Sequence, residues 1–410
     1  MTEAEKKGPE IRFRGFTDNW KQRKLGDHSQ ILTGGTPKTQ IKEYWEPKEI
    51  PWMSSGEINK KRLFSTDNQI SKLGFENSSA RWIKENSVLI ALAGQGKTRG
   101  TVAINEISLT SNQSIAAIEP DDTLDSGFLF QNLGKRYEEL RLASSGDGSR
   151  GGLNKQIISD IKIIAPSIKE QNTVGSFFKH LDDTIALHQR KLASLKQLKQ
   201  SYLQLLFPQN KGNNPTLRFC AFSDSWEQRK LGELLSEVRR PIKMNDDEYY
   251  ELVTVKRRNE GIVSRGIFQG KDVLVKSQFQ IKTGDYLISK RQVVHGANGI
   301  VPRNLNNAIV SNEYLVSIGN KNVTTDFLTI ISRRPDMYKK FFLSSYGIDI
   351  EKLVFNVEDW KKRTIQIPSV SEQNQISIFF KQLDNTIDLH QCQLEKILEL
   401  KNVLLGKMFL

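Results

Sequence analysis

RFRGFTDNWKQRKLG at residues 12–26 returns as RFCAFSDSWEQRKLG at residues 218–232, with 10 of the 15 positions identical. A longer echo follows each copy: residues 166–207 match residues 368–409 at a constant offset of 202, with 20 of 42 positions identical. The identities include Glu170-Gln171-Asn172 against Glu372-Gln373-Asn374 and Leu187-His188-Gln189 against Leu389-His390-Gln391. A period this long marks two copies of a domain, not a solenoid of short repeats. The order is variable block, shared segment, variable block, shared segment. Conserved parts imply one job done twice, and divergent parts imply two different ligands.

The segments opening at Pro166 and Pro368 read as long helices. Each begins with a capping-box pattern, Ser167 with Glu170 and Ser369 with Glu372. From there Val174, Phe178, Leu181, Ile185, His188, Leu192, Leu195, Lys199, Tyr202 and Leu206 recur in steps of four and three, a heptad seam. Ile376, Phe380, Leu383, Ile387, His390, Leu394, Ile397, Lys401, Leu404 and Met408 fill the same positions in the second copy. No proline interrupts the first stretch before Pro208, so each helix is expected to run roughly 38 residues, or about 57 Å. An amphipathic rod needs a partner. Pairing in trans is one solution, but the matched seam within the chain favours an antiparallel intramolecular pair with a pseudo-twofold axis. On that seam His188, His390, Lys199 and Lys401 are read as polar residues that fix register, not as metal ligands.

At 410 residues the chain has room for two or three domains. A net charge of +13 and a pI near 9.5 favour a polyanionic partner, nucleic acid before an anionic membrane surface. There is no apolar leader with a cleavage site and no run of 18 apolar residues, so the expected compartment is the cytoplasm. The two cysteines, Cys220 and Cys392, align with Arg14 and Arg190 of the other copy, which argues against a disulfide or a catalytic thiol.

The variable blocks, about 27–165 and 233–366, mix short β-rich runs such as residues 87–92 and 285–289 with glycine turns and one helix each, around 127–143 and 325–342. Leu89-Ile90 precedes Ser111-Asn112-Gln113 as Leu287-Ile288 precedes Ser311-Asn312-Glu313. One α/β fold with reworked surfaces accounts for both.

Catalytic signatures fail. The stretch from Ala91 to Thr98 has alanine where a P-loop needs its first glycine, and residues 99–104 alternate like a strand, where a phosphate loop needs a helix N-terminus. No Cys/His cluster has metal-ligand spacing, there is no nucleophile elbow, no dinucleotide-type glycine motif and no Asn-Pro-Pro-aromatic motif of an amino-methyltransferase. The expectation is a non-catalytic chain with no metal or cofactor of its own.

Basic, glycine-flanked loops suited to DNA remain. Arg and Lys favour guanine edges, while Gln and Asn pair with adenine. The candidates are Thr36 and Lys38, then Gln95, Lys97 and Arg99 on the turn from Gly94 to Gly100, and Arg150 in the loop from Gly146 to Gly152. In the second block they are Lys256, Arg257 and Arg258, then Lys290, Arg291, His295 and Asn298. Taken singly, each is a phosphate contact or a solvated side chain sooner than a base reader; the ensemble carries the reading.

Over nearly its whole length the chain resembles the specificity (S) subunits of type I restriction–modification systems. The two Pro-Ser-x-x-Glu-Gln helix starts, the paired Phe-x-Asp-x-Trp and Arg-Lys-Leu-Gly segments, residues 34–38 with Tyr44-Trp45 and Ile50-Pro51-Trp52, and the loop 94–100 carry the resemblance. It implies an α+β architecture: a target recognition domain at 1–165 including shared segment 10–26, a spacer helix at 166–207, a second recognition domain at 208–366 including shared segment 216–232, and a second spacer helix at 367–410. It further implies that each domain reads half of a bipartite DNA target. The implied partners are double-stranded DNA, two methyltransferase subunits that bind S-adenosylmethionine, and two translocating nuclease subunits that use ATP and Mg2+. Two like segments suit two like partners, so Trp20, Trp226 and outward helix positions such as Lys191 are candidate docking residues. A second reading, compatible with the first, is that Phe13, Phe16 and Trp20 with their counterparts Phe219, Phe222 and Trp226 anchor each domain against the rod. Two other classes compete: a DNA-reading chain fused into or serving a different nuclease or methyltransferase, and a coiled-coil scaffold with no DNA role.

Overall fold

The computed structural model describes residues 8–94, 98–143, 152–209, 212–276 and 278–410. The chain divides into two compact units, residues 1–189 with 392–410, and residues 190–391. The division runs through both long helices, so each unit owns part of each.

In the first unit the strands are β1 (Lys21–Lys24), β2 (Ser29–Thr33), β3 (Ile50–Met53), β4 (Arg62–Leu63), β5 (Asn68–Ile70), β6 (Val88–Ala91), β7 (Val102–Asn105), β8 (Thr110–Ser111), β9 (Ile115–Pro120) and β10 (Lys162–Ala165). The helices are α1 (Lys72–Glu76), α2 (Ser126–Lys135), α3 (Tyr137–Leu142), α4 (Lys155–Asp160) and α5 (Ile168–Leu205). The main sheet has the order β2-β9-β6-β7-β4, and a smaller sheet the order β5-β3-β8. β6 and β7 are buried along their whole length because both faces of the sheet are covered. Val88, Ile90, Val102, Ile104, Ala116 and Ile118 face a core shared with Leu129 and Leu133 of α2 and Ile158 of α4. The intervening Leu89, Ala91, Ala103, Ile115 and Ala117 face Met53, Ile58, Leu63 and Leu109. Strand alternation thus serves two cores at once.

The second unit holds β11 (Glu227–Lys230), β12 (Leu235–Glu237), β13 (Pro241–Ile242), β14 (Tyr249–Val255), β15 (Ile262–Gln269), β16 (Gln278–Gln280), β17 (Tyr286–Ser289), β18 (Asn298–Ile300), β19 (Ile309–Ser311), β20 (Tyr314–Gly319), β21 (Ser345–Tyr346), β22 (Val354–Phe355) and β23 (Thr364–Ile367). Its helices are α6 (Leu231–Leu234), α7 (Thr325–Ile331), α8 (Pro335–Leu343), α9 (Val357–Lys362) and α10 (Val370–Met408), whose end belongs to the first unit. The sheet β12-β20-β17-β18 repeats the order β2-β9-β6-β7. The parallel pair β3–β8 returns as β14–β19. What changes is the edge: β5 pairs with β3, whereas its counterpart β16 pairs with β19, and β15 is added as a hairpin on β14. The blocks therefore share a fold and differ at the rim.

The shared segments build the same frame twice. β1 pairs antiparallel with β10, and β11 with β23. Arg12 donates two hydrogen bonds to Glu170, at 2.6 and 2.7 Å, and Arg218 donates two to Glu372, at 2.8 and 2.7 Å. Here the expected capping boxes are corrected in their glutamate half. Ser369 Oγ does accept from Glu372 N, at 3.4 Å, but each glutamate side chain is turned to a guanidinium, where the charge-assisted fork outcompetes a bond to the N-cap N–H. The next residue ties the helix to the block. Gln171 accepts from Asp125 N and donates to the carbonyls of Thr123 and Pro166, while Gln373 accepts from Thr324 N and donates to those of Asn322 and Pro368.

α5 has 38 residues and α10 has 39. Every seam position named above is buried or half-buried. In the first unit, Phe178 near the start of α5 meets Phe409 just past the end of α10, and Asp182 pairs with Lys401, so the two helices run antiparallel there. In the second unit Tyr202 meets Phe379 and Lys199 pairs with Asp384, the same relation with the roles exchanged. The seam lysines thus join the helices through aspartates.

The single helix expected in each block is in fact two. α7 stops before Arg334, which is held extended (φ −87°, ψ 149°) by the proline that opens α8. α2 and α3 part at Arg136, whose guanidinium is held by Glu139 and the Lys162 carbonyl. Among the described residues no helix is long and apolar enough to cross a membrane.

Candidate nucleic-acid interface

In the first block the loop after β2 is shaped by close approach. A Cβ on Gly34 would lie 2.0 Å from the Ser111 carbonyl oxygen, and one on Gly35 would lie 2.2 Å from Ser79 Oγ, so only glycine fits at either position. Trp52 Nε1 donates to the Gly35 carbonyl at 2.9 Å and stacks edge-on against Trp45. On this base Thr36 donates to Gln113 at 2.6 Å, and Lys38 is exposed with no hydrogen bond or ion pair from its ammonium among the described residues. Gln113 follows β8, so the chain brings together two motifs that lie far apart in sequence.

Arg99 is directed inward. Its Nε and Nη2 donate to the Arg141 carbonyl at 2.9 and 2.6 Å, closing the end of α3 against the turn after β6. Gln95, Lys97 and Arg150 lie outside the described residues.

The second block gathers more of its candidates. Arg258 and Asn259 both adopt left-handed backbone (φ 60° and 57°), a conformation costing a non-glycine residue about 1–2 kcal/mol. The distortion is held by hydrogen bonds from their N–H groups to the carbonyls of His295 and Gly296, at 2.6 and 3.0 Å. This joins two basic turns into the wall of a cleft of about 570 Å³, completed by Arg333, Arg334 and Tyr338. Arg257 Nη2 lies 2.7 Å from Glu351 Oε2, and His295 Nε2 lies 3.4 Å from Glu351 Oε1. Arg333 is committed to Asp384, and Arg334 to Asp336 and the carbonyls of Leu203 and Pro208. Lys256 and Arg258 are exposed, and neither side chain makes a hydrogen bond or ion pair among the described residues. On the neighbouring rim, Lys290 donates to the Asn312 carbonyl at 2.7 Å and Arg291 pairs with Glu313 at 3.0 Å.

Asn298 requires a correction. It is 2% exposed, accepts from the Tyr286 hydroxyl at 3.0 Å and approaches Asn259 Oδ1 at 3.4 Å. Burial pushes the Tyr286 phenol far up, so it remains a donor. Asn298 supports the turn from beneath. For Trp20 and Trp226, 7% and 3% exposed, the burial supports the anchoring reading. Trp20 packs on Phe128, and Trp226 on Phe207 and Phe327, so they anchor each block to its helices. Lys191 is exposed, and among the described residues no group of His, Cys, Asp and Glu could hold a metal ion. Glu351 escaped the sequence reading altogether. It lies 94 positions from Arg257, and no local pattern links them.

Each unit therefore presents loops of different chemistry on one frame. A family model for the type I restriction modification DNA specificity domain matches the chain twice, at residues 17–197 and 223–400. The chain belongs to this family. Among curated relatives, the Escherichia coli type I restriction enzyme EcoR124I/EcoR124II specificity subunit is 26% identical over 42% of this chain and 43% of its own length. The Methanocaldococcus jannaschii MjaVIII specificity subunit is 20% identical over 95% of this chain and 92% of its own. The chain thus spans less than half the length of the E. coli relative. Among solved structures, the S subunit of the type I restriction–modification system from M. genitalium covers 98% of this specificity-domain chain and 99% of its own, at TM-score 0.64 and 12% identity. That likeness is one of fold.

Proposed function

We propose that the chain is the DNA-specificity subunit of a type I restriction–modification complex and performs no catalysis itself. The observation that carries this is the tandem family match, with one frame repeated under two different sets of loops. Each block reads one half of a bipartite target: the first through the surface of Thr36 and Lys38, the second through the rim of Lys256, Arg257, Arg258, Lys290, Arg291 and His295. The paired helices set the unspecified gap and, with outward positions such as Lys191, dock two methyltransferase subunits. Those subunits bind S-adenosylmethionine and methylate adenine; two further subunits supply ATP- and Mg2+-dependent translocation and cleavage. The EcoR124I/EcoR124II and MjaVIII relatives are named as specificity subunits, which supports this assignment. The basic net charge of +13 supports a DNA partner. Genome-wide mapping of methylated adenines with and without this chain tests the reading. Its presence is expected to add one motif of two defined halves flanking a fixed gap; an unchanged map, or an uninterrupted motif, would refute it.

A further inference from the structure

In the cleft of the second block, an arginine and a histidine from different turns converge on one carboxylate. Glu351 holds Arg257 with one oxygen and faces His295 with the other, at 2.7 and 3.4 Å. Two oxygens of one anion shared between two donors is also how a phosphate is held. His295 Nε2 is buried and has no hydrogen-bond partner, since its approach to Glu351 lacks hydrogen-bond geometry. The wall carrying these donors is the left-handed turn at Arg258 and Asn259, and such strain accumulates where function requires a set geometry. The Arg257–Glu351 pair is about half exposed on both sides, so it stabilises the fold little. Glu351 comes from the segment between β21 and β22, which Leu353 anchors in the core, but its own side chain is half exposed, so the carboxylate can swing aside while the backbone stays in place.

We propose that the Arg257–His295 cleft is a seat for a backbone phosphate of nucleic acid, and that Glu351 is an internal stand-in which that phosphate displaces. The proposal rests on the DNA-binding reading above and adds to it a site and a competitor. Displacement hands both donors to the phosphate, and Arg258 flanks them with a guanidinium that has no partner among the described residues. The free cleft is thereby kept from non-specific polyanions by an anion of its own, which raises the selectivity of binding at a small cost in affinity.

Binding of labelled duplex DNA to the full chain, titrated across salt concentrations, tests this. Glu351→Gln is expected to tighten binding about two- to fivefold, the worth of an exposed ion pair that no longer competes. Arg257→Ala is expected to weaken it and to reduce the salt slope by about one. In an Arg257→Ala, His295→Ala background Glu351→Gln is expected to have no effect; equal tightening there would mean that Glu351 acts only through net charge, and the proposal falls. It falls also if Glu351→Gln leaves affinity unchanged while the wild type binds DNA. Absence of salt-dependent DNA binding by the wild type would instead remove the underlying functional reading together with this one. Thermal melting of each variant shows whether the fold is intact, and Glu351→Ala provides a second variant of the same charge.

Discussion

Arg12 and Arg218 show how two residues of a short repeat act as fasteners. Each forks onto a glutamate that is 1% exposed, and neither glutamate has another cation bonded to it among the described residues. The fork holds each arginine's pKa above its ordinary value, chiefly through the hydrogen bond to glutamate. Removing the cation leaves a buried carboxylate uncompensated, so Arg12→Ala and Arg218→Ala are each expected to cost about 3 kcal/mol in urea unfolding. Tyr286→Phe tests a different fastener. It strips the donor from Asn298 Oδ1 beneath the cleft of the second block, and a loss of about 1–3 kcal/mol is expected, with the DNA binding proposed for this block weakened as a consequence.

Among elements, the helix starts matter most. Gln171 and Gln373 are fully buried, and each bonds three backbone groups, welding the first turn of a long helix to the segment that caps α2 or α7. Gln171→Ala is expected to cost about 2–3 kcal/mol and to accelerate hydrogen exchange at the Asp125 amide, while leaving the Thr324 amide protected. Further along, Lys401 reaches Asp182 and Lys199 reaches Asp384, pairs that are mostly buried at both ends. A double-mutant cycle on Lys401→Met and Asp182→Asn is expected to give a coupling of about 1–2 kcal/mol, with a matching value for Lys199→Met and Asp384→Asn. Coupling near zero in both would reduce these lysines to surface charges. The steps of four and three made the seam legible in sequence because a heptad is a local property. The partners of its lysines were not, since each aspartate belongs to the other helix.

For the whole molecule, modular reading makes two predictions. Exchanging residues 27–165 for the corresponding block of another family member is expected to change one half of the methylated motif and leave the other as it was. Inserting one heptad into both α5 and α10 preserves the seam and adds about 10 Å, so the unspecified gap is expected to grow by roughly three base pairs. Methylation mapping reads both outcomes, and an unchanged gap would show that the helices do not measure it.

Identity between copies and periodicity along the chain are written in the sequence itself. They were enough to establish the duplication, the two rods of about 38 residues and the α/β character of each block, while the specificity family is legible only through its resemblance motifs and is shown by the tandem family match. The tertiary structure alone decided which polar residues face outward. Asn298 looks like surface chemistry in a linear reading, and Trp20 and Trp226 admit both a docking and an anchoring role there; the fold buries all three, beneath a turn or between a block and its helices. Arg99 looks like a free cation, yet a carbonyl 42 positions away holds two of its donors. Exposure and charge pairing are settled by residues distant in the chain, and long-range proximity exists only once the chain has folded.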